Sequence, residues 1–507
     1  MASSRRSFAV AAVYLGTFMA SLAISIVSVA LPAIQSDLRT SLSGLQWVVG
    51  AYTLCLSAFM LSAGPLADRY GRKRTWLTGV AAFTIGSAIC AAAPSLAVLV
   101  TGCALQGVAG ALVIPGALSI LTQAFPDPAE RASVIGGWSS FSAISLILGP
   151  MLGGLLVDHV GWPSIFLVNL PIGLITICLG LWAVEESAHP DHAALDPAGQ
   201  ALSIAFLGTL TYALINAGHA GWSAAETIGP LAAAAIALIC FILVEVHSAR
   251  PVLPIDLLRQ PAFASANFAS FVLGFSGYTS LFLFSLFLQQ GQGWAATEAG
   301  WRMAPVFAAM LVGSSMFGKL ACRFGLHRLM IAGYVLLGVA MLAMTTFTPL
   351  TPYWIVAPSF ALLGIAQGLA VPATGAAAMG SAPRERTGAA SATMNALRQS
   401  GMTIGIALLG TIMSARAVAS LERALARSGS GDAAAAAALA VQRHDMPAGL
   451  SVAPETFRTM LEAAFSRGFS VAVMVAGLAG LVAAVALVAT TFQRARIEHR
   501  ITAAHDA

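Results

Sequence analysis

The phrase GPLADRYGRKR at residues 64–74 decides the fold, because a second version of it, GKLACRFGLHR, stands at residues 318–328. Each copy follows one long apolar run and precedes another. Its glycines permit a tight turn between helices, and its basic side chains suit a membrane surface better than a membrane interior. A basic turn repeated in the same apolar setting indicates a duplicated bundle of membrane helices.

The composition agrees with a membrane protein. The chain has 507 residues, of which 58% are hydrophobic and only 9% are charged, and its mean hydropathy is +0.82. A soluble protein of this length needs far more surface charge. The net charge of +5 does not indicate nucleic-acid binding, since the basic residues lie between apolar runs. The six cysteines lack the spacing of a disulfide framework or a metal site.

We predict an all-α polytopic fold with fourteen transmembrane helices. The apolar runs are continuous rather than alternating, which excludes a β-barrel, and hydrocarbon leaves helices as the other way to pair the backbone. The runs cover residues 8–32, 45–66, 75–94, 97–125, 133–157, 163–184, 200–218, 226–246, 263–289, 300–320, 328–348, 353–379, 387–414 and 468–492.

The distribution of basic residues predicts the orientation. An even number of spans puts both termini on one side, and 17 of the 26 Lys and Arg residues fall in that set of segments. The opposite set has 8, of which 6 lie between Arg416 and Arg467, and Arg398 lies within a predicted span. Both termini should therefore be cytoplasmic.

Other repeats define the domains. PAER at 128–131 corresponds to PRER at 383–386, and Gln106-Gly107 corresponds to Gln367-Gly368. They predict two pseudo-symmetric six-helix bundles, with one helix pair inserted between them. The boundaries are 1–199 for the first bundle, 200–249 for the inserted pair, and 250–507 for the second bundle with an outside loop at 415–466. That loop is either a solvated cap or a cover over the exit mouth.

Four phrases resemble those of one known family, the fourteen-span drug:proton antiporters of the major facilitator superfamily, which is a multidrug exporter group. The resemblance covers nearly the whole chain, although Pro163 stands where an Arg is usual. The phrases are GPLADRYGRKR at 64–74, LILGPMLGG at 146–154, WPSIFLVNLPIG at 162–173 and NALRQSGMTIGIALLG at 395–410.

The resemblance implies a conformational latch in the first phrase. Gly64 and Gly71 allow the turn, and Asp68 lies near Arg69 and Arg72. Asp68 can also face the positive end of a helix from the other half. By resemblance, this loop holds the two halves together in the outward-facing state. The alternative is a topology signal made by the basic residues alone.

Small residues in the fifth helix of each half suggest a surface along which the halves slide. GxxxG spacing lets helices approach closely, and a proline inside a helix bends it. Ordinary tight packing is the alternative. The residues of this hinge or antiporter motif are Gly149, Pro150, Gly153, Gly154, Gly401 and Gly405.

The chain departs from the family at two membrane-embedded positions. The family's first span reads L-D-x-[ST]-I-V-x-x-A-L-P, whereas LAISIVSVALP at 22–32 has Ala23 in place of the acid. In the fourth span R-x-x-Q-G becomes CALQG, with Cys103 in place of the arginine. A lone charge at mid-membrane costs about 2.5–3.5 kcal/mol, so the two losses are mutually consistent. The usual coupling pair is missing.

Arg398 is the ionisable side chain that lies well inside a predicted span, because Asp158 and the other acids closest to spans fall at their ends. It is either a structural arginine bonded at the interface or a group that attracts anions to the cavity. The second interpretation predicts neutral, amphipathic or weakly acidic substrates.

Polar residues on the central spans are candidates for the substrate cavity, although each alone also suits an interhelical hydrogen bond. These are Ser25, Ser28, Gln106, Asn267, Gln289, Gln367, Asn395 and Arg398. An aromatic row at helical spacing suggests a drug-binding wall or, alternatively, packing against lipid and helices: Phe271, Phe275, Tyr278 and Phe282.

The resemblance implies a secondary transporter that exports small hydrophobic or amphipathic compounds by alternating access. An uncoupled facilitator and a non-transporting membrane sensor are the alternatives. The sequence has no P-loop, metal-ligand cluster or nucleophile-elbow phrase, so we expect neither an enzyme nor a resident cofactor. A proton gradient stays open as the energy source. We expect a bacterial inner-membrane location, the bilayer and a small molecule as partners, and no nucleic acid. A periplasmic adaptor is possible but has no signal in the sequence.

Overall fold

A computed structural model describes residues 2–125, 127–188, 196–248, 253–383, 386–428, 432–447, 450 and 452–505. Regular structure in these residues is helical throughout, because a chain this apolar must pair its backbone within each segment. The all-α prediction is confirmed.

The first half of the chain forms one bundle of helices joined by short turns. Its helices are α1 (Ala2–Asp37), α2 (Leu42–Tyr70), α3 (Arg72–Ala91), α4 (Leu96–Ala124), α5 (Pro128–His159), α6 (Ser164–Leu167) and α7 (Asn169–Ala183). The sixth predicted span is thus broken at Val168 into α6 and α7.

An inserted helix pair, α8 (Pro197–Ala220) and α9 (Ala225–His247), follows the first bundle. Gln200 Nε2 on α8 donates to the carbonyl of Ala58 on α2 over 2.8 Å. Further along, the carbonyl of Leu214 accepts from Thr411 Oγ1 in the second bundle at 2.8 Å. The inserted pair therefore touches both halves.

The second bundle repeats the plan with more interruptions. It contains α10 (Ile255–Leu258), α11 (Pro261–Val272), α12 (Ser280–Leu286), α13 (Ala296–Arg302), α14 (Ala304–Phe324), α15 (Leu326–Ala343), α16 (Tyr353–Gly380), α17 (Thr387–Arg427), α18 (Ala433–Arg443) and α19 (Pro454–His505).

Thirteen helical segments among the described residues are long and apolar enough to cross a membrane. The third predicted span, α3, falls outside this set because it opens with three basic residues and carries several Thr, Ser and Gly residues. It occupies the expected place beside α4. Its Trp76 and Phe83 are fully buried.

The ninth predicted span is not a regular α-helix. Residues Leu273–Tyr278 and Phe287–Gly291, on either side of α12, are π-helical. A π-helical turn holds one residue more than an α-helical turn and is frequent at functional sites. The hydrophobic pattern gave no sign of either interruption.

The segment predicted as an outside loop, 415–466, is mostly helical in its described part. The fifth helix of the second bundle continues to Arg427, and the last helix already begins at Pro454. Ala and Leu residues there favour helix, and Leu421 and Leu425 are fully buried. The span boundaries predicted at 414 and 468 mark the apolar runs rather than the helix ends.

The two halves differ in how they fill one equivalent position. Trp76 sits among glycines of three other helices: a Cβ on Gly16, Gly116 or Gly180 would stand 2.8–3.2 Å from its ring. The repeat places Met330 at the corresponding position of the second half. There a cavity of about 600 Å³ remains, lined by Met330 and Ala377 among others. The first half is thus the more tightly filled.

Candidate functional site

The predicted latch lies at the end of the bundle that carries both termini, called here the terminal face. Gly71 has φ = 101° between α2 and α3, and Gly325 has φ = 85° in the second copy. This left-handed backbone strongly favours glycine. Both copies therefore make the same turn, as the repeat predicts.

Asp68 pairs within its own loop. Its Oδ1 accepts from Arg72 Nε at 3.0 Å and lies 2.9 Å from Arg72 Nη2. The Arg69 guanidinium lies 5.5 Å from the centre of the Tyr70 ring. A Cβ on Gly64 would meet open space. The hydrogen bonds and ion pairs described for this loop stay within the first half, and the latch role itself stays a prediction.

Glu186, which the sequence reasoning missed, orders this turn from the far end of the sixth span. Its carboxylate accepts from the backbone N–H of Lys73 at 3.0 Å and of Arg74 at 3.1 Å. A carboxylate at a helix N-terminus satisfies donors that have no partner inside the helix. Because Glu186 is more than 100 residues away in sequence, no local motif could reveal it.

The face opposite the termini, called here the opposite face, is closed across the two halves. Asp158 Oδ2 at the end of α5 accepts from the backbone N–H of Thr297 at 2.8 Å, at the start of α13. Contact is close enough that a Cβ on Gly154 would stand 2.5 Å from the Ala296 carbonyl oxygen. A Cβ on Gly300 would stand 2.2 Å from the carbonyl oxygen of Pro150. The helices meet backbone to backbone.

The first helix of each half adds polar contacts near the same face. Ser285 Oγ donates to the carbonyl of Ser28, and Gln289 Nε2 donates to the carbonyl of Val29 at 3.1 Å. Gln290 Nε2 reaches Gln35 Oε1 at 2.6 Å. We call these contacts, together with the Asp158 bond, the opposite gate.

The helix α18 is docked over the opposite gate. The backbone carbonyl of Gln442 accepts a hydrogen bond from Gln35 Nε2 at 2.8 Å, and Val441 is fully buried. His444 follows the helix, and burial, with a smaller effect of Arg458, lowers its pKa to about 4, while Asp445 acts in the other direction. The covering position agrees with the second of the two interpretations of this loop.

Contacts at mid-height join α2 to α17. The hydroxyls of Ser57 and Ser400 lie 2.6 Å apart. Closer to the opposite face, Gln46 Nε2 donates to the carbonyls of Ile406 and Ala407, both at 3.0 Å. These bonds seal the seam on one side of the pathway.

Four of the predicted glycines, Gly149, Gly153, Gly401 and Gly405, pack inside their own halves, which agrees with the alternative of ordinary tight packing, whereas Gly154 lies between the halves. A Cβ on Gly149 would stand 1.9 Å from Ser25 Oγ, and Gly153 approaches Ile26, both on α1. Likewise a Cβ on Gly401 would stand 2.0 Å from the Phe271 carbonyl, and Gly405 approaches Phe275. The close approach is real, but it binds the fifth helix to the first helix of each half. Pro150 and Gly154 make the contact between halves.

The two positions that depart from the family lie together. Ala23 and Cys103 line one small cavity, with Gln106 and Tyr52 beside them. Gln106 Nε2 donates to Ser87 Oγ at 2.7 Å, and the lining contains no carboxylate or basic side chain. The two positions are thus neighbours in a cavity whose lining side chains are neutral.

Most other predicted cavity residues make hydrogen bonds within the bundles. Ser25 and Ser28 bond to backbone carbonyls of α1. Asn267 Nδ2 bonds to the Phe263 carbonyl, and Gln367 Nε2 links α16 to the Gly277 carbonyl at 3.0 Å. Their geometry shows interhelical and intrahelical bonding, while a role in binding substrate stays a prediction.

Arg398 lies half-buried in a small polar and aromatic cluster. It donates through Nη2 to Asn395 Oδ1, and its guanidinium is 5.5 Å from the centre of the Tyr278 ring. Cation–π contact favours a charge at this distance. Of the other predicted aromatic residues, Phe275 and Phe282 are buried in the second bundle. The structure therefore brings Tyr278, Asn395 and Arg398 together.

The terminal face is less closely packed at several positions. A Cβ on Gly64, Gly136 or Gly318, at the terminal ends of α2, α5 and α14, would meet nothing within 4 Å. None of the side chains described between residues 130 and 143 of α5 is buried, whereas Gly149, Gly153 and Gly154 nearer the opposite face are buried. The hydrogen bonds described above between the halves lie at mid-height or towards the opposite face, which makes the terminal face the less tightly joined end.

The comparisons with known proteins agree with this architecture. The sequence profile described as Major Facilitator Superfamily matches residues 13–406. The chain is 39% identical to the multidrug resistance protein Stp of Mycobacterium tuberculosis, over 82% of this chain and 77% of the relative. It is 34% identical to the methylenomycin A resistance protein of Bacillus subtilis (79% and 86% covered). It is 33% identical to the tetracenomycin C resistance and export protein of Streptomyces glaucescens (93% and 89%).

Solved structures show the same fold. A bacterial homologue of the human lysosomal transporter Spinster, in an inward-facing and unoccupied conformation, aligns with a TM-score of 0.62 and 17% identity, over 96% of this chain and 98% of that one. The nucleoside transporter NupG aligns with a TM-score of 0.62 and 11% identity, over 95% and 99%. The profile match over residues 13–406, together with these relatives of 33–39% identity, shows that the chain belongs to the Major Facilitator Superfamily of membrane transporters.

Proposed function

We propose that this transporter exports small hydrophobic or amphipathic compounds of the antibiotic class by alternating access. The names of its relatives support this: multidrug resistance, methylenomycin A resistance, and tetracenomycin C resistance and export. The observation that carries the mechanism is the asymmetry of the ends, because the halves are bonded together at the opposite gate and are less closely joined at the terminal face.

The terminal face is the cytoplasmic one in this proposal, and the membrane is the bacterial inner membrane. The support is the excess of Lys and Arg in segments on that side, 17 against 8. The structure then represents the inward-open, loading state. Substrate enters from the cytoplasm or the inner leaflet, the halves rock, and the Asp68 loop closes behind it.

The substrate charge follows from the side chains inside the bundle. Arg398 contributes a positive charge, and the small cavity around Ala23 and Cys103 has no carboxylate to offset it. A cation would be repelled without compensation in a medium of low dielectric constant. We therefore propose neutral or weakly acidic cargo. Tight, saturable binding of a permanent cation to the purified protein would contradict this.

Energy coupling has two candidate forms. Proton antiport is the form implied by family resemblance, and uncoupled facilitation is favoured by the specific replacement of the charge pair at Ala23 and Cys103. Carriers of a proton in membrane helices are normally ionisable groups that face the cavity. Asp158 is the acid closest to the moving interface, since it joins the halves.

The test measures accumulation of neutral, cationic and acidic dyes in pump-deficient cells that express the protein, before and after the proton gradient is collapsed. Uphill efflux that stops with the gradient would support antiport, and downhill movement unaffected by the gradient would support a facilitator. Asp68→Asn should reduce efflux of the neutral dye, with Asp127→Asn as a control in another loop of the same face. Equal accumulation in expressing and non-expressing cells for every dye would reject the transport proposal.

A further inference from the structure

The positive charge on the opposite face is concentrated in one place. Six of the eight Lys and Arg residues assigned to that side lie between Arg416 and Arg467. This runs against the usual bias, which places basic residues on the cytoplasmic side. Three of them line one hollow of about 230 Å³ between the C-terminal end of α17 and the N-terminal end of α19: Arg423, Arg427 and Arg467.

Helical spacing builds this arginine hollow. Ser420, Arg423 and Arg427 are three and four residues apart, so they share one face of α17. Thr459 and Arg467 face them from α19. Ser420 is buried, and its Oγ accepts from Arg467 Nη1 at 3.1 Å, which ties the two walls together.

The arginines of the hollow keep hydrogen-bond donors that no described protein contact uses. Arg423 uses its Nε to reach the Ala419 carbonyl at 2.9 Å, a bond that aligns the side chain along α17. Each guanidinium carries five N–H donors, so most of them remain for a ligand. The hydroxyls of Ser420 and Thr459 add two more polar groups at the wall.

No carboxylate compensates the arginines within the hollow. Its lining contains no Asp or Glu. The closest acid along α19, Glu462, is held on another side of the helix by Arg458, with Nε to Oε1 at 2.9 Å. Three like charges around one small space repel one another, and an anion between them relieves that repulsion. Guanidinium groups pair especially well with phosphate, through parallel N–H···O bonds.

We propose that the arginine hollow binds a phosphate-bearing anion, either inorganic phosphate or the phosphate headgroup of an anionic lipid. The apolar runs of the two helices end near residues 414 and 468. Arg467 and Ser420 therefore lie where hydrocarbon gives way to headgroups, at a rise of 1.5 Å per residue. This depth favours the lipid source. The placement rests on the membrane orientation given above, although the binding itself does not depend on transport.

Binding is measured on the purified full-length chain. Inorganic phosphate is titrated in detergent, and phosphatidylglycerol retention is measured by native mass spectrometry after release from nanodiscs that contain phosphatidylcholine with or without phosphatidylglycerol. The test variant is Arg423→Gln with Arg427→Gln. The matched control is Arg416→Gln with Arg443→Gln, which removes the same charge from the same segment outside the hollow. Arg423→Lys with Arg427→Lys keeps the charge and checks the fold.

The test variant should lose at least tenfold in affinity, because two charge-assisted contacts disappear, and the lysine variant should keep an intermediate affinity. Selective loss of phosphatidylglycerol would identify the lipid source, and selective loss of phosphate alone would identify the free anion. Equal losses in the test and control variants would reduce the effect to general surface charge and overturn the proposal. So would a wild-type chain that binds neither probe. Dye efflux, measured separately, reports on transport and not on this site.

Discussion

The bond between Asp158 and Thr297 should set how often the opposite gate opens. Asp158 Oδ2 accepts from the Thr297 N–H at 2.8 Å, and it joins the end of α5 to the start of α13 in the other half. Alternating access requires this bond to break in the outward-open state. Removing its charge should therefore favour opening.

The size of the effect follows from the bond type. A hydrogen bond to a charged group contributes about 1.5–3 kcal/mol, and this carboxylate is exposed, so solvent screens part of that. Asp158→Asn keeps a weaker acceptor and should cost about 1 kcal/mol, which is about fivefold in the ratio of open to closed protein. Asp158→Ala removes the acceptor and should have the larger effect.

The assay is a distance measurement between spin labels at Val160 and Leu350, which are exposed on the opposite face, one in each half. The two exposed cysteines, Cys178 and Cys322, are first replaced by serine. The long-distance population should increase in the order wild type, Asn, Ala. Glu298→Gln is the matched control, since it removes an equal charge from the first turn of α13.

Distance distributions that stay at the wild-type pattern in both Asp158 variants would refute the reasoning. So would an equal shift in the Glu298→Gln control, because charge near α13, rather than the bond, would then explain the change.

Three further predictions concern packing, charge and pH. Trp76→Ala should lower the free energy of unfolding by about 3–5 kcal/mol. Met330→Trp should raise the midpoint of thermal unfolding in detergent, because the indole would fill the cavity of the second half. A lower midpoint for Met330→Trp would show that the cavity cannot hold the larger side chain. Ala23→Asp alone should cost about 2.5–3.5 kcal/mol, and adding Cys103→Arg should recover part of it in a double-mutant cycle; additive losses would separate the two positions. The docked position of α18 holds the pKa of His444 below its value in the unfolded chain. The amides of α18 should therefore lose protection from hydrogen exchange as the pH falls from 6.5 towards 4. His444→Gln should abolish that pH dependence if this imidazole is its source.

The features that could be predicted from the sequence are those that depend on residues close together in the chain. Apolar runs gave the helices, and the repeated turn gave the two halves, down to the positive φ of Gly71 and Gly325. The absence of the usual charge pair was also readable, and the structure places Ala23 and Cys103 in one cavity. Local pattern was sufficient here because hydrophobic periodicity and glycine geometry act over a few residues.

The features that were missed depend on contacts between distant segments. Glu186 binds the first amides of α3, and Asp158 at the end of α5 binds the amide of Thr297 at the start of α13. Each carboxylate is more than 100 residues away in sequence from the group that it binds. The GxxxG phrases indicated close packing but carried no information about the partner helix, so they could not decide between a sliding surface and the packing within each half that Gly149 and Gly401 show. Spacing defines a face of a helix, while the tertiary fold decides what covers it.

The two π-helical segments give the opposite gate an option beyond rocking. An α-helix turns about 100° per residue, so the extra residue in Leu273–Tyr278 rotates everything that follows it about the helix axis. Relaxing that turn to α-helix would swing Ser285 and Gln289 around the axis, away from the carbonyls of α1 that they now reach. A rotation of this one helix about its own axis would therefore be enough to separate both contacts from α1.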